Sequence, residues 1–406
     1  MNAILILLAF VFLFVLYIRL YKKTSLLILP IIYVLVGMYT ILGEQFFDFS
    51  KEVPFDFYNK VNEVNIFYIY FHLIAGSVIY TIGFFVFFKR DINSKPLINF
   101  EGISLKVIGN KYIISLFLVT ITLLHIGYGF SHIYYREGYT LGEAGVSFAR
   151  VLYTLFLPLT CLLIPFSKSK FFKFLIPSIL FVLVMGTSSR NLVLIPACIF
   201  LGGVIRDGKV SFFKSVLSGI MIALSVTISL QSRNYAVQGV VPNILSLFDS
   251  GLDFLVMNYA INYLTSYSVF ASSLTYQNYS PDLLSLYYSL TPLPSSFIDL
   301  EYMVESQKLN ANSPFPAFAL LALNGPFFFG LYYFLAGSIM AIFGGYLAKK
   351  NKSLNLFVVM LILVFSFLSL QYNLRGTTRI LYYLVFFSLS FKVVAIIKFN
   401  INKYRV

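Results

Sequence analysis

Apolar runs long enough to cross a lipid bilayer, separated by short polar loops, constrain this 406-residue chain more than any other feature. A membrane-spanning helix needs about 20 apolar residues. Eleven runs approach that length: 2–19, 25–43, 64–88, 111–129, 148–166, 171–187, 190–205, 212–231, 317–347, 354–373 and 379–398. Charged residues make up only 11% of the chain, against roughly 25% in soluble proteins. The sequence therefore predicts an all-α polytopic membrane protein of about eleven transmembrane helices.

The distribution of charge among the loops predicts how these helices are oriented. Alternate loops carry 21 of the 30 lysines and arginines, and the positive-inside rule places that set in the cytoplasm. The N-terminus is then outside and the C-terminus inside. The acidic residues agree independently, because 13 of the 16 lie in the opposite, outer set of loops.

One long outer loop is predicted over residues 232–316. If its semi-apolar stretch 251–277 crossed the membrane, every later loop would change sides and the lysines at 349–352 would lie outside. We therefore expect an interfacial helix in this loop. The run 317–347 is too long for an upright span, and Gly325-Pro326 predicts a break within it. Residues 1–406 are predicted to form a single integral membrane domain.

Composition argues against several classes of function. The net charge of +14 would suggest nucleic acid in a soluble protein, but here the basic residues lie in loops and set membrane orientation. Cys161 and Cys198 fall inside apolar runs and the three histidines are scattered, so no metal site and no cofactor are predicted. His72 is the one ionisable residue near the middle of a span, which argues against an ion-coupled transporter.

Arginine and lysine are distributed differently on the two sides. The inner set has 17 lysines and four arginines, whereas the outer set has three lysines and six arginines. The outer arginines are Arg136, Arg150, Arg190, Arg233, Arg375 and Arg379. Arginine grips phosphate through two parallel hydrogen bonds and tolerates a partly dry site. For any single arginine, anchoring to lipid headgroups is the alternative.

Two small polar turns carry several of these arginines. They are Gly186-Thr187-Ser188-Ser189-Arg190-Asn191 and Arg375-Gly376-Thr377-Thr378-Arg379. Each precedes a predicted helix, and the N-terminus of a helix favours an anion. Together with the arginine bias, the turns predict a phosphate or pyrophosphate site at the outer bilayer face.

Aromatic and acidic residues complete the predicted site. Tyr259, Tyr263 and Tyr267 recur every four residues, so they share a helix face that either stacks on sugars or forms an interfacial belt. A general base could come from the outer acidic residues Glu137, Glu143, Asp249, Asp253, Asp299, Glu301 and Glu305. Among these, Glu143 and Asp253 are the candidate bases, and the sequence does not choose between them.

This layout resembles the O-antigen polymerases, the Wzy-type oligosaccharide repeat-unit polymerases of bacterial inner membranes. The resemblance covers nearly the whole chain. It rests on the Gly186–Asn191 turn, the long outer loop from Ser232, the segment Asn312-Ser313-Pro314 and the late Arg375–Arg379 turn. The related O-antigen ligases are expected to use a histidine in their large outer loop. Residues 232–316 contain none, which favours a polymerase.

The resemblance implies a metal-independent glycosyltransferase with a GT-C-like helical bundle. It would join oligosaccharide units carried on undecaprenyl pyrophosphate at the periplasmic face, in the synthesis of lipopolysaccharide or a related surface polysaccharide. Its arginines would bind the pyrophosphate, and a chain-length regulator and a flippase would be its partners. A flippase of lipid-linked oligosaccharide, or an O-antigen ligase, is the alternative function.

Overall fold

A computed structural model describes residues 2–21, 24, 26–46, 57–88, 109–138, 145–207, 211–310, 313–350 and 352–403, most of which are helical. The helices are α1 Asn2–Tyr21, α2 Ile28–Phe46, α3 Phe57–Lys60, α4 Glu63–Phe87, α5 Asn110–Tyr128, α6 Phe130–Tyr134, α7 Ser147–Leu163, α8 Lys170–Met185, α9 Leu194–Asp207, α10 Phe212–Gln231, α11 Val240–Ser250, α12 Phe254–Leu264, α13 Tyr267–Asn278, α14 Leu283–Leu290, α15 Leu300–Ser306, α16 Ala317–Leu323, α17 Pro326–Ile339, α18 Gly345–Lys350, α19 Lys352–Gln371 and α20 Leu374–Lys403. Two short antiparallel pairs join β1 Arg136–Glu137 to β2 Val237–Gln238, and β3 Lys308–Asn310 to β4 Ser313–Pro314.

The helices confirm the prediction of an all-α membrane protein. Within the described ranges, six helices are long and apolar enough to cross a membrane: Ala3–Leu20, Glu63–Phe87, Asn110–Tyr128, Ser147–Phe166, Phe213–Asn234 and Pro326–Lys349. The bent pair α11 and α12, at 117°, would make a seventh if it were one broken span. Every one of the eleven predicted segments contains a helix. Several are short, such as α8 with 16 residues and α9 with 14, so the count of eleven stays a prediction.

The chain forms two compact units. Unit 1 consists of Met1–Leu97 and Asn262–Val406, and unit 2 of Ile98–Ile261. The second of the two boundaries, between Ile261 and Asn262, falls inside α12, within the predicted long loop. The prediction of a single integral membrane domain therefore stays a prediction, and each unit is described by itself.

In unit 1, α4 packs along α17 at close range. The backbones approach at Gly83 and Gly337, where an added Cβ atom would overlap the carbonyl oxygens of Phe334 and Tyr80 respectively. Small residues allow such close approach in membrane proteins, where packing and not water drives helices together. The helix pair at the centre of unit 1 thus depends on having no side chain at these two positions.

A buried tyrosine network ties further helices of unit 1 together. The Tyr33 hydroxyl of α2 hydrogen-bonds both Tyr333 of α17 and Ser369 of α19, each at 2.7 Å. All three residues are fully buried. A buried hydroxyl without a partner would cost about 1–3 kcal/mol, so the network favours one mutual arrangement of α2, α17 and α19.

The predicted break at Gly325-Pro326 is confirmed. The helix α16 ends at Leu323, Gly325 has φ of +100°, and Pro326 begins α17. The Asn324 amide stabilises the break, since its Nδ2 donates to Leu320 O at 2.8 Å and its Oδ1 accepts from Asp282 N at 3.1 Å. Because α16 is buried along its whole length, the freed backbone groups are satisfied by protein and not by water.

The predicted long loop is itself helical. It contains α11 to α15, and α13 is buried from Tyr267 to Thr275, so this helix belongs to the core of unit 1. The helix α11 fits the predicted interfacial helix better. It exposes Val241, Leu245 and Phe248 on one face and buries Val240 and Asn243 on the other.

In unit 2, the five helices α5, α7, α8, α9 and α10 form a bundle with two distinct ends. At one end, which we call the basic end, Ser167 Oγ donates to Asn110 Oδ1 at 2.8 Å, Arg206 Nη1 donates to Pro165 O at 2.7 Å, and Lys214 pairs with Asp207. At the other, which we call the arginine end, Val146 N donates to Ile126 O and Arg233 Nε donates to Ser188 O. The predicted inner and outer loops of this unit therefore segregate to opposite ends.

Replacing Gly337 with alanine is expected to destabilise unit 1. Overpacking at a backbone contact typically costs about 1–3 kcal/mol, so Gly337→Ala should lower the apparent Tm of the purified protein in detergent. Gly330 lies on the same helix, and its Cβ would meet only Ile79 Cδ1 at 3.8 Å. Gly330→Ala is thus the matched control and should leave Tm unchanged or raise it. Equal Tm values for the two variants would contradict the close helix contact.

Candidate functional site

The turn between α8 and α9 organises the arginine end of unit 2. Ser188 adopts a φ of +49°, the one positive value at a non-glycine residue in the described chain. Ser189 then caps the short 3₁₀ helix Arg190–Val193 by accepting from Asn191 N at 3.1 Å. A left-handed residue costs about 1–3 kcal/mol and persists only where its surroundings fix it.

Arg136 makes several of the hydrogen bonds that hold Ser188 and its turn in this conformation. Its Nη1 donates to Gly186 O at 2.5 Å and His132 O at 3.0 Å, and its Nη2 donates to Gln238 Oε1 at 2.9 Å and Ser188 Oγ at 3.2 Å. The side chain is only 4% exposed. Arg136 therefore holds the turn from inside, through the fork geometry that sequence reasoning had assigned to phosphate binding.

Two more of the predicted arginines reach the same turn. Arg233, which follows α10, donates from Nε to Ser188 O at 3.0 Å. Arg190 begins the 3₁₀ helix within the turn, and its side chain lies outside the part that the structure describes. The structure thus brings Arg136, Arg233 and the backbone of Arg190 together at the Gly186–Asn191 turn.

Arg150 lies elsewhere at the arginine end. Its Nε donates to Gly127 O at 2.6 Å, and its guanidinium carbon is 5.7 Å from the centroid of the Tyr128 ring. This half-buried arginine joins the start of α7 to the end of α5. The contacts suit either a structural tie or an anchor at the bilayer interface.

The remaining two arginines belong to unit 1. Arg375, in the first turn of α20, donates from Nη1 to Tyr288 O and from Nη2 to Leu293 O, each at 2.5 Å. These carbonyls lie at and beyond the C-terminal end of α14, where backbone oxygens have no intrahelical partner. Tyr382 donates to a third, Leu290 O. Side chains at the start of α20 therefore supply the hydrogen-bond donors for the carbonyl groups at the C-terminal end of α14.

Arg375 and Arg379 form a cationic pair on one face of α20. Arg375 is 4% exposed, and its Nε is buried without an acceptor. Burial lowers the pKa of the Arg375 guanidinium, and the positive charge of Arg379 lowers that pKa further. Arg379 is half-buried one turn later. Across residues that the structure describes, no carboxylate forms an ion pair with Arg375 or Arg379.

The arginines therefore gather within each unit. Arg136, Arg150, Arg190 and Arg233 belong to unit 2, and Arg375 and Arg379 belong to unit 1. A single site made from all six, with one shared pyrophosphate, stays a prediction.

The predicted sugar-stacking tyrosines occupy different environments. Tyr263 and Tyr267 stack with ring centroids 5.1 Å apart, and Tyr267 also stacks on Phe57 at 5.7 Å. Tyr267 is buried, so its ring belongs to the core of unit 1, whereas Tyr259 and Tyr263 are half-buried. The rings of Tyr259 and Tyr263 are therefore more accessible to a glycan than the ring of Tyr267.

The two predicted bases, Glu143 and Asp253, are not placed in a site by the described residues. Glu143 lies outside the described residues. Asp253 is exposed and its carboxylate accepts from Leu255 N at 2.8 Å, which makes it an N-cap of α12. An N-capping carboxylate stabilises its own helix, and its exposure leaves it well hydrated.

One acidic residue in unit 1 was missed by sequence reasoning. Glu44, near the C-terminal end of α2, is half-buried, and its Oε2 accepts a hydrogen bond from the Tyr70 hydroxyl at 2.6 Å. Its position directly after the apolar run 25–43 was the available signal. A half-buried carboxylate takes up a proton more readily than an exposed loop carboxylate, because burial disfavours its charged form.

Comparison with known protein families, with functionally characterised proteins and with solved structures gave no match.

Removing the Arg136 guanidinium is expected to destabilise unit 2. Arg136→Ala leaves buried carbonyl and amide oxygens without their donor, which costs roughly 2–3 kcal/mol. For a unit of this size that corresponds to about 5–10 °C in apparent Tm. The control is Lys308→Ala, which removes an exposed cation paired with Glu305. An unchanged Tm for Arg136→Ala would show that the guanidinium does not hold the turn.

Proposed function

We propose that this protein polymerises oligosaccharide repeat units carried on a lipid pyrophosphate, such as undecaprenyl pyrophosphate, at the outer face of a bacterial inner membrane. The observation that carries the proposal is the Arg375–Arg379 pair. It combines a buried guanidinium, an unused Nε and a second cation one turn away, without a carboxylate partner among the described residues. It lies in the segment Arg375–Arg379, on which the resemblance to the polymerases partly rests. The sequence predicted a turn there before a helix, which is wrong, because these residues already belong to the start of α20.

Electrostatics explains why this pair favours an anionic ligand. Like charges four residues apart on a helix repel, and a buried cation is costly unless an anion or hydrogen bonds compensate it. Two carbonyl groups compensate part of the Arg375 charge, while Arg379 has no described acceptor. A pyrophosphate would accept from both guanidinium groups and remove their repulsion, and arginine is well matched to it in shape.

The proposed reaction transfers the growing glycan to an incoming unit. A hydroxyl oxygen on the non-reducing sugar of the incoming unit attacks the anomeric carbon of the growing chain. The bond between that carbon and the pyrophosphate oxygen breaks, and the lipid pyrophosphate leaves with the electron pair. Negative charge therefore grows on the leaving group, where the guanidinium groups stabilise it more in the transition state than in the ground state.

The hydroxyl proton needs an acceptor. Glu44 is our proposed acceptor, because it is half-buried and its carboxylate is oriented by the Tyr70 hydroxyl. The predicted alternatives are Glu143 and Asp253. Tyr263, on the unit 1 part of α12, would stack on the sugars. A role in binding for Tyr259 and for the unit 2 arginines Arg190 and Arg233 stays a prediction.

Membrane orientation supports an outer site. The charge pattern predicts eleven spans with the N-terminus outside, and it assigns Glu44 and the Arg375–Arg379 turn to the outer side. Substrates would then arrive after a flippase has moved them across the membrane, and a chain-length regulator would be a natural partner.

Replacing Arg379 is expected to abolish polymerisation without unfolding the protein. In cells lacking the chromosomal gene, surface polysaccharide should appear on a gel as single units, and the wild-type gene should restore long chains. Arg379→Ala should not restore them. With purified protein and a lipid-pyrophosphate oligosaccharide, its rate should fall by roughly 10²–10³-fold, and Arg379→Lys should recover part of the loss.

Lys308→Ala is the matched control for charge, and its rate should equal the wild-type rate. Apparent Tm values would confirm that each variant is folded. If loss of the gene removed all surface polysaccharide, single units included, a flippase would replace the polymerase. Wild-type chain lengths with Arg379→Ala would exclude the proposed anion site.

Replacing Glu44 tests the proposed base separately. Glu44→Gln keeps the size of the side chain and an acceptor for Tyr70 but cannot take the proton, so the rate should fall by about 10²–10⁴-fold. Binding of the lipid-pyrophosphate substrate should be unchanged. Glu301→Gln alters an exposed carboxylate and should be silent. A wild-type rate for Glu44→Gln would return the role of base to Glu143 or Asp253.

A further inference from the structure

A cavity opens at the basic end of unit 2. It has a volume of about 630 Å³ and lies between α8, α9 and α10. That volume falls within the range of about 300–1,000 Å³ typical of small-molecule sites. Its walls are mostly apolar, formed by side chains such as Phe174, Phe181, Ile199, Phe200, Leu217 and Met221.

The charged residues that line this cavity are mostly cationic. Lys173 of α8, Arg206 of α9 and Lys214 of α10 all line it, and Asp207 is the single carboxylate beside them. Three cations against one carboxylate leave two positive charges in excess. One end of the apolar cavity therefore attracts an anion.

The cations are arranged around Asp207 in an ordered way. Arg206 Nε and Lys214 Nζ donate to its two carboxylate oxygens at 2.7 and 2.6 Å, and Arg206 Nη1 donates to Pro165 O at 2.7 Å. The Arg206 guanidinium lowers the pKa of Asp207 to about 2, so the carboxylate stays ionised at neutral pH. Arg206 is thereby held in place before any ligand arrives.

Lys173 is the cation available to a ligand. Of the carboxylates in the described chain, none lies within ion-pair distance of its Nζ. Lys173 is half-buried and lies close enough to Arg206 for the two positive charges to repel each other. An anionic headgroup would bridge the two and remove their repulsion.

We propose that this cavity binds an anionic glycerophospholipid, with its phosphate between Lys173, Arg206 and Lys214 and an acyl chain in the apolar part. Two observations together favour this ligand. The cations can bind a phosphate, and the apolar walls beside them can bind a hydrocarbon chain that is joined to that phosphate. The lysine-rich loops at this end are predicted to be cytoplasmic, where anionic lipids attract basic residues.

This site is distinct from the proposed pyrophosphate site. Every residue that lines it belongs to unit 2. Its cations lie at the basic end, opposite the Gly186–Asn191 turn, and its apolar part extends along α9 to Ile195 and Pro196. A lipid held there would fasten α8, α9 and α10 together at their basic end. The proposal therefore does not depend on the polymerase activity.

Titration of the purified full-length protein with phosphatidylglycerol, followed by native mass spectrometry in detergent, tests the site. Phosphatidylcholine with the same acyl chains is the neutral reference. The wild-type protein should hold one phosphatidylglycerol at least tenfold more tightly than phosphatidylcholine. Lys173→Gln should weaken phosphatidylglycerol binding by about fivefold, the usual effect of one basic residue near an anionic lipid. Lys170→Gln, on the same helix but outside the cavity, should not.

A second pair of variants tests the acyl-chain part. Gly203 lines the cavity and a Cβ atom there would meet open space. Gly203→Leu should therefore fold normally, fill the cavity and weaken lipid binding at least fivefold. Gly219 is also unobstructed but lies outside the cavity, so Gly219→Leu should bind as the wild type does.

Three results would overturn the site. The first is equal binding of phosphatidylglycerol and phosphatidylcholine, which would remove the headgroup contact. The second is an equal loss for Lys170→Gln and Lys173→Gln, which would indicate general surface charge. The third is preferential binding of a polyprenyl phosphate, which would make the cavity a carrier-lipid site.

Discussion

Backbone carbonyl groups at interrupted helices are the constraint on which this structure depends. Inside a membrane protein, such groups cannot rely on bulk water, and each one left without a donor costs several kcal/mol. This chain interrupts its helices repeatedly, after α8, after α14 and between α16 and α17. At the first two interruptions an arginine supplies the donors, and at the third the Asn324 side chain does so. A side-chain donor that already bonds such a carbonyl is not available to a ligand, so a ligand must be bound by other donors.

The outer arginines differ in whether their donors already bond backbone carbonyls. Arg136 commits its two terminal nitrogens to the Gly186–Asn191 turn and its neighbours, so its contribution is to hold the turn. Arg375 commits its terminal nitrogens to the end of α14 in the same way, and what distinguishes it is the second cation, Arg379, one turn later on α20. Arg379 has no described carboxylate partner. The guanidinium that holds the end of α14 and the one that we propose to bind the pyrophosphate thus lie one turn apart on α20.

Local patterns made the helices and one of their interruptions predictable. Apolar runs marked every long helix, and Gly325-Pro326 marked the break before α17, because both signals lie within a few residues. Long-range contacts were not predictable in this way. The same guanidinium fork suits phosphate and paired carbonyls, so sequence could not separate Arg136 from Arg379. The pairing of Glu44 with Tyr70 joins residues 26 positions apart, and the burial of α13 depends on helices from both ends of the chain.

The central claim, that Arg375 and Arg379 hold the pyrophosphate of a lipid carrier, is tested most directly by a structure of the protein with that ligand. Electron cryomicroscopy of the full chain in lipid nanodiscs with undecaprenyl pyrophosphate would locate the diphosphate. The account predicts density for it within hydrogen-bond distance of the Arg379 guanidinium and of Arg375 Nε. Density for the diphosphate elsewhere, away from the Arg379 guanidinium and from Arg375 Nε, would contradict the account.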